Sequence, residues 1–192
     1  MTRLLIYAGP NGSGKSSLRV GTSADIEPVD VVIDPDQIAR GINPASPRDA
    51  DREAGRRAIE IFNISLATGK SISLETTLSG HSIIRRITAA RMAGYHVELR
   101  YIALASVEMN VQRVRARAAG GGHFIEPEAI RRRYIGSLVN LPTVIGLSDR
   151  VVISDNSGVM PEPVLEIENG QIVRRGVTMP GWLVSTCPDF CC

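Results

Sequence analysis

Aromatic residues are scarce, at 4% of the 192-residue chain, which argues against the stacked aromatic platform that single-stranded nucleic acid needs. Charge is near balance: a net +2 gives little push toward polyanions. No apolar run approaches the roughly 20 residues that cross a bilayer. The chain enters an apolar segment at once, Arg3 to Ala8. That leaves no stretch for a secretory leader, so the expectation is a cytoplasmic protein. Cysteine is nearly absent. Cys187, Cys191 and Cys192 all fall in the last six residues. An odd count with no nearby histidine argues against zinc and for a reduced, loosely ordered tail without chemistry.

What is present is an ordinary globular balance, 43% hydrophobic and 22% charged, which suits one α/β domain with a small appendage. Short β-branched runs alternate with helical patterns, the signature of βαβ units and a parallel sheet flanked by helices. About five strands are predicted, at Leu4–Ala8, Val29–Ile33, Ser71–Glu75, His96–Ala103 and Arg150–Ser154. Apolar spacing predicts helices over residues 50–67, 83–93, 107–118 and 126–145, the last with Pro127 in its first turn and Pro142 as a kink or break. Beyond Asn156 the pattern shortens, and Asn169-Gly170 between two apolar runs signals a hairpin within 159–178. The division is therefore 1–158 for the main domain and 159–192 for a hairpin and tail.

The densest signal is Gly9-Pro10-Asn11-Gly12-Ser13-Gly14-Lys15-Ser16, with Ser17 following and a strand just before it. Glycines let the backbone turn tightly and bring successive N–H groups to one anion, and the helix beginning near Lys15 points its positive end the same way. Lys15 supplies a cation for β/γ-phosphates, and the Ser16 hydroxyl is the expected Mg²⁺ ligand. The pattern reads as a loop binding a nucleoside triphosphate.

Phosphate binding does not by itself choose between a kinase, a switch and a motor. The second strand ends in Asp34-Pro35-Asp36, and ligands of open α/β sheets sit off the carboxyl ends of strands. One aspartate there can accept the proton of an attacking hydroxyl or hold the metal. Asp36 before Gln37-Ile38-Ala39 is also a good helix cap. Glu75, Thr76 and Thr77 end the third strand, where they can cap the next helix or hold a polar substrate.

Arg113, Arg115, Arg117, then Gly120-Gly121-Gly122-His123, then Arg131-Arg132-Arg133 suggest a hinged lid over residues 113–133 that closes arginines on a phosphoryl group. Three consecutive arginines step about 100° each around a helix, so they cannot all face one site. A solvated or nucleic-acid-binding basic face is the competing reading. His123 reads as a contact to lid or substrate. Asp155-Asn156-Ser157-Gly158 frames an adenine or ribose, or simply makes a turn.

In their order, Gly9–Ser17, Ile33–Arg40, Leu74–Gly80, Arg113–Leu141 and Ser148–Gly158 resemble the zeta-toxin-like family of P-loop kinases, in particular its short bacterial branch. The resemblance implies a P-loop kinase fold, ATP and magnesium, and transfer to a small-molecule hydroxyl. In characterised toxins that is the sugar 3′-hydroxyl of UDP-N-acetylglucosamine. It implies Asp36 as the catalytic aspartate, Glu75 as the substrate-contacting glutamate, and Arg117 and Arg133 as lid arginines. It also allows an antitoxin-type protein partner, of which the sequence shows no sign. Chloramphenicol phosphotransferase and adenylyl-sulfate kinase share the general plan with other acceptors, so the fold does not fix the substrate. A nucleotide-binding regulatory ATPase and a polynucleotide kinase are the alternatives, the latter disfavoured by weak charge and few aromatics.

Overall fold

A computed structural model describes residues 1–22, 28–121 and 124–190. One seven-stranded sheet runs in the order β2-β3-β1-β4-β5-β6-β7. Five strands are mutually parallel: β1 (Arg3–Ala8), β2 (Val31–Ile33), β3 (Ile72–Thr76), β4 (His96–Ala103) and β5 (Arg150–Asp155). The helices are α1 (Lys15–Thr22), α2 (Pro35–Ile42), α3 (Asp51–Ala67), α4 (His81–Met92), α5 (Val107–Ala119), α6 (Pro127–Gly146) and α7 (Gly181–Thr186).

The count of seven exceeds the five strands predicted because the hairpin continues the sheet. Strand β6 (Glu162–Glu168) pairs antiparallel with β5, and β7 (Gln171–Arg175) pairs with β6. Asn169 and Gly170 turn between them with φ of 50° and 77°, the pair of positive angles that a tight hairpin matched to strand twist requires.

Strand side chains alternate between two faces. Leu4, Ile6, Leu74, Leu99, Tyr101, Ile153 and Leu165 form one buried cluster with Phe62 of α3, Ile83 and Ile87 of α4, Leu141 of α6 and Leu183 of α7. Tyr7 points the other way, to the Thr22 hydroxyl of α1 at 3.0 Å. Farther along, that second face carries charge pairs: Glu98 with Arg100, Arg150 with Glu168, and Glu166 with Arg174. The central parallel strands β1, β3 and β4 are nonetheless buried on both faces, as parallel sheets are, and only the hairpin strand β7 is exposed throughout.

Two local expectations change. Pro142 lies inside α6 without ending it; it removes one i→i−4 hydrogen bond, while fully buried Leu141 and Val144 on either side hold the helix to the core. The chain after residue 178 is not loose as far as Phe190. Trp182 is buried and packs on Tyr101 with ring centroids 5.9 Å apart, and Cys187 is buried at the end of α7. Cys191 and Cys192 lie outside the described residues. Among the described residues, no helix is long and apolar enough to cross a membrane.

Candidate active site

Everything at the site hangs on the turn from β1 into α1. Gly12 and Gly14 sit at φ of 77° and 106°, where a side chain is strained. Space is as tight as conformation. A Cβ on Gly12 would lie 2.9 Å from the Asn110 carbonyl, and one on Gly14 2.5 Å from Asn156 Nδ2. Protein, as well as phosphate, demands these glycines.

Long-range hydrogen bonds hold the loop open. Asn110 Nδ2 donates to the Asn11 carbonyl at 2.7 Å, and Asn156 Nδ2 to the Ser13 carbonyl at 2.8 Å. Gly9 N–H donates to the Thr76 carbonyl. Lys15 Nζ folds back on the Pro10 carbonyl at 3.0 Å. Burial lowers the Lys15 ammonium from its ordinary range, and Glu75 pulls in the opposite direction. Ser16 and Ser17 stand exposed in the first turn of α1.

The two aspartates after β2 have different surroundings. Asp34, not Asp36, caps α2: its Oδ1 accepts from Asp36 N–H at 3.0 Å and Gln37 N–H at 3.2 Å. Pro35 at the first helical position makes Asp34 the geometric cap. Asp34 is buried, with Oδ2 3.5 Å from Arg19. Asp36 sits in the first turn of α2 with an exposed side chain lining the cavity beside Lys15.

Glu75 lies across from Ser16, whose hydroxyl donates to Oε1 at 2.9 Å. Its Oε2 is 3.6 Å from Arg19 Nε and has no hydrogen-bond partner. Burial raises this carboxyl above its ordinary range, Lys15 opposing. The next residues form a rigid lip: Thr76 Oγ1 accepts from Leu78 N–H, Thr77 and Ser79 share a hydroxyl contact at 2.9 Å, and buried Leu78 holds φ of 60°. Helix α6 clamps this lip. Asn140 donates to the Leu78 carbonyl at 2.7 Å, and a Cβ on Gly136 would lie 2.9 Å from the Ser79 carbonyl.

The arginines sort themselves by helical position. Arg133 reaches the loop, donating to Asn11 Oδ1 at 3.2 Å. Arg117 is on the solvent side of α5 yet close enough to depress Lys15 further. Arg131 pairs with Glu108 and Glu128, and Arg132 is exposed. Arg113 donates to the Asn156 carbonyl at 2.7 Å, bracing the loop that Asn156 holds. Helices α5 and α6 share a small core of their own, Val111, Val114, Ile125 and Ile130. Gly120 ends α5 and Gly121 has φ of 87°; Gly122 and His123 lie outside the described residues.

Three side chains at the site escape the sequence reading: Arg19, Asn110 and Arg86. Lys15 and Arg19 are one helical turn apart, which places Arg19 on the site. Asn110 interrupts the Val107–Val111–Val114 stripe of α5 and is fully buried, a polar residue where an apolar one is expected.

From Lys15 and Asp36 a cavity of about 420 Å³ opens between α3 and α4. Its walls include Asn11, Asp34, Glu75, Thr76, Thr77 and Arg133. A cation, a strand-end acid and an adjoining chamber can hold a polyphosphate on one side and a second molecule on the other. As to magnesium, no group of three or more His, Cys, Asp or Glu among the described residues could cage a metal ion. The oxygens of Ser16 and Glu75 still form a hard donor pair at the loop, and the unsatisfied Glu75 Oε2 fits an ion that completes its shell with phosphate and water.

A phosphate loop between β1 and α1, on a 2-3-1-4-5 parallel sheet, defines a P-loop protein of the kinase type. The sequence matches the zeta toxin family over residues 3–160, and the chain belongs to that family. An uncharacterized protein of Haemophilus influenzae is 45% identical over 132 residues, 69% of this chain and 92% of its own length. Among solved structures, the AvrRxo1-ORF1:ORF2 complex with ATP superposes with a TM-score of 0.68 at 17% identity. The match covers 90% of this chain but only 60% of that one. A structure from the PezAT chromosomal toxin-antitoxin system of Streptococcus pneumoniae gives 0.55 at 15% identity, over 81% of this chain and 67% of that one. These structural likenesses establish the fold.

Proposed function

We propose that the protein is an ATP-dependent phosphotransferase that moves the γ-phosphoryl group to a hydroxyl of a small molecule. A UDP-sugar such as UDP-N-acetylglucosamine is the acceptor the family resemblance favours, and the cytoplasm is where the reaction is placed. One observation carries the reading: the cavity that begins at Lys15 passes Asp36 and continues between α3 and α4. A nucleotide-binding switch has no need of a second chamber behind an unengaged carboxylate.

The loop amides and Lys15 hold the β/γ-phosphates once Lys15 leaves the Pro10 carbonyl. Ser16, with Glu75 behind it, would hold magnesium, which neutralises charge on the phosphate oxygens. The acceptor oxygen attacks the γ-phosphorus as the bond to the β–γ bridging oxygen breaks. Its proton passes to Asp36, and ADP leaves. Arg133 and Arg117 stabilise charge on the transferring group. Asp34 is committed to Arg19 and to the α2 cap, so Asp36 is the base. Thr76, Thr77 and His123 stand on the acceptor side. One structural neighbour comes from a toxin-antitoxin system by name, which supports an antitoxin-type partner for this chain.

The test is a transfer assay with γ-labelled ATP, magnesium and a panel of UDP-sugars, free sugars and short oligonucleotides. Label on a small-molecule hydroxyl supports the reading. Label on oligonucleotides alone, or release as phosphate with every acceptor, overturns it.

A further inference from the structure

The C-terminal helix has no part in the chemistry proposed above. The family match ends at residue 160, and α7 (Gly181–Thr186) comes after it. Yet α7 is anchored at the carboxyl end of β5, the edge of the sheet where the phosphate loop lies. Leu183 is fully buried and Trp182 nearly so. The Trp182 ring packs at 46° against Tyr101, which accounts for its apolar body. A buried indole N–H still needs an acceptor. Here the acceptor is charged: Nε1 donates to Asp155 Oδ2 at 2.7 Å, a bond of the stronger, charge-assisted kind.

Asp155 is the last residue of β5, and its other oxygen, Oδ1, accepts from the Ser157 N–H at 2.8 Å. With both oxygens engaged, the carboxylate has one orientation and the turn that follows has one shape. Each residue of that turn is tied. Asn156 N–H donates to the Ala103 carbonyl, and the Asn156 carbonyl accepts from Arg113. Ser157 Oγ accepts from the Ala105 N–H at 2.7 Å. From this turn Asn156 Nδ2 reaches the Ser13 carbonyl at 2.8 Å. The Ser13 hydroxyl is buried without a partner, and its N–H bonds within the loop, to the Pro10 carbonyl. Asn156 is thus the tie from Ser13 to the rest of the fold. There is no slack between turn and loop: a Cβ on Gly14 would lie 2.5 Å from Asn156 Nδ2. A shift of the turn must shift the loop.

We propose that α7 is a working part of the nucleotide site, with Trp182 as a positioning residue for the phosphate loop. The indole fixes Asp155, Asp155 sets the Asn156 turn, and the turn holds the loop amides where they receive the β/γ-phosphates. Nucleotide binding and the docking of α7 therefore strengthen each other, by the reciprocity that any coupling between two sites obeys. The inference rests on nucleotide binding at the loop and is independent of the acceptor.

The experiment measures AMP-PNP binding with magnesium by calorimetry on wild type, Trp182→Phe, Asp155→Asn, the double variant and Ile167→Ala. Phenylalanine keeps a ring against Tyr101 and removes the donor. Ile167 is buried in β6 beside Val151, at the other end of β5 from the turn, so Ile167→Ala loosens the hairpin without touching the brace. Trp182→Phe should weaken AMP-PNP roughly tenfold, the scale of one hydrogen bond to a charged group. The double variant should bind no worse than the weaker single one, as partners in one contact do. Ile167→Ala should melt earlier than wild type and bind as wild type does. Trp182 is the chain's one tryptophan, so its emission should change on titration with AMP-PNP, with the midpoint that calorimetry gives. Wild-type affinity in Trp182→Phe, an equal loss in Ile167→Ala, or flat emission at saturating AMP-PNP overturns the coupling and leaves the phosphotransferase reading intact. Failure of wild type to take AMP-PNP would overturn both.

Discussion

Lys15, Glu75 and Asp34 are buried together beside Arg19, and their charges are matched only in part. Burial raises the Glu75 carboxyl, so the folded protein holds that proton to higher pH than the unfolded chain does. Stability from this group is complete below its ordinary value of 4.5 and is lost as pH rises through the raised value. Glu75→Gln keeps an acceptor for the Ser16 hydroxyl and removes the buried charge. The variant should therefore melt above wild type at pH 7, with the gap closing below pH 4.5, while magnesium-dependent ATP binding weakens. Melting curves across pH on both proteins check this; a pH-independent difference would contradict it. Such an exchange of stability for function is common where a site needs strained electrostatics.

At the scale of elements, the proposed lid is the part expected to move. Helices α5 and α6 carry Arg117 and Arg133 on either side of the Gly120–Gly121 turn and pack on each other through their own small core. Arg117→Ala should lower turnover far more than ATP affinity, because its contact strengthens as charge develops in the transition state. Steady-state kinetics beside equilibrium binding separate the two, and equal losses would count against a lid role.

Much of this scale is legible in the sequence. The phosphate loop, the strand-end acids and the helix carrying Arg133 follow from spacing and from the rule that sites lie off strand carboxyl ends. The cap at Asp34 was within reach too, since Pro35 can only follow a cap or fill a first turn. Other features were not. Asn110 meets Asn11 across 99 residues of chain, and Arg86 of α4 meets Phe62 of α3. Tertiary placement decides such contacts, and no local period announces them.

For the molecule as a whole, the C-terminal segment bears on the site from a distance. Trp182 Nε1 donates to Asp155 Oδ2 at 2.7 Å, and Asp155 Oδ1 accepts from Ser157 N–H. Between them Asn156 holds the Ser13 carbonyl. Helix α7 thus braces the turn that braces the phosphate loop. Trp182→Ala should cost about 3–5 kcal/mol by opening a cavity against Tyr101, readable in denaturant unfolding; a change within error of zero would show that α7 is dispensable to the core.

The central claim is that this family member transfers phosphoryl groups with Asp36 as base, and one substitution addresses it directly. Asp36→Asn keeps the shape and removes the basic oxygen. Transfer from labelled ATP to the acceptor found in the panel should fall roughly 10²-fold or more, the range for losing a general base. Calorimetric affinity for ATP with magnesium should stay near wild type, and Lys15→Ala serves as the control that loses binding. Wild-type transfer rates in Asp36→Asn, or a loss confined to ATP affinity, would contradict the account.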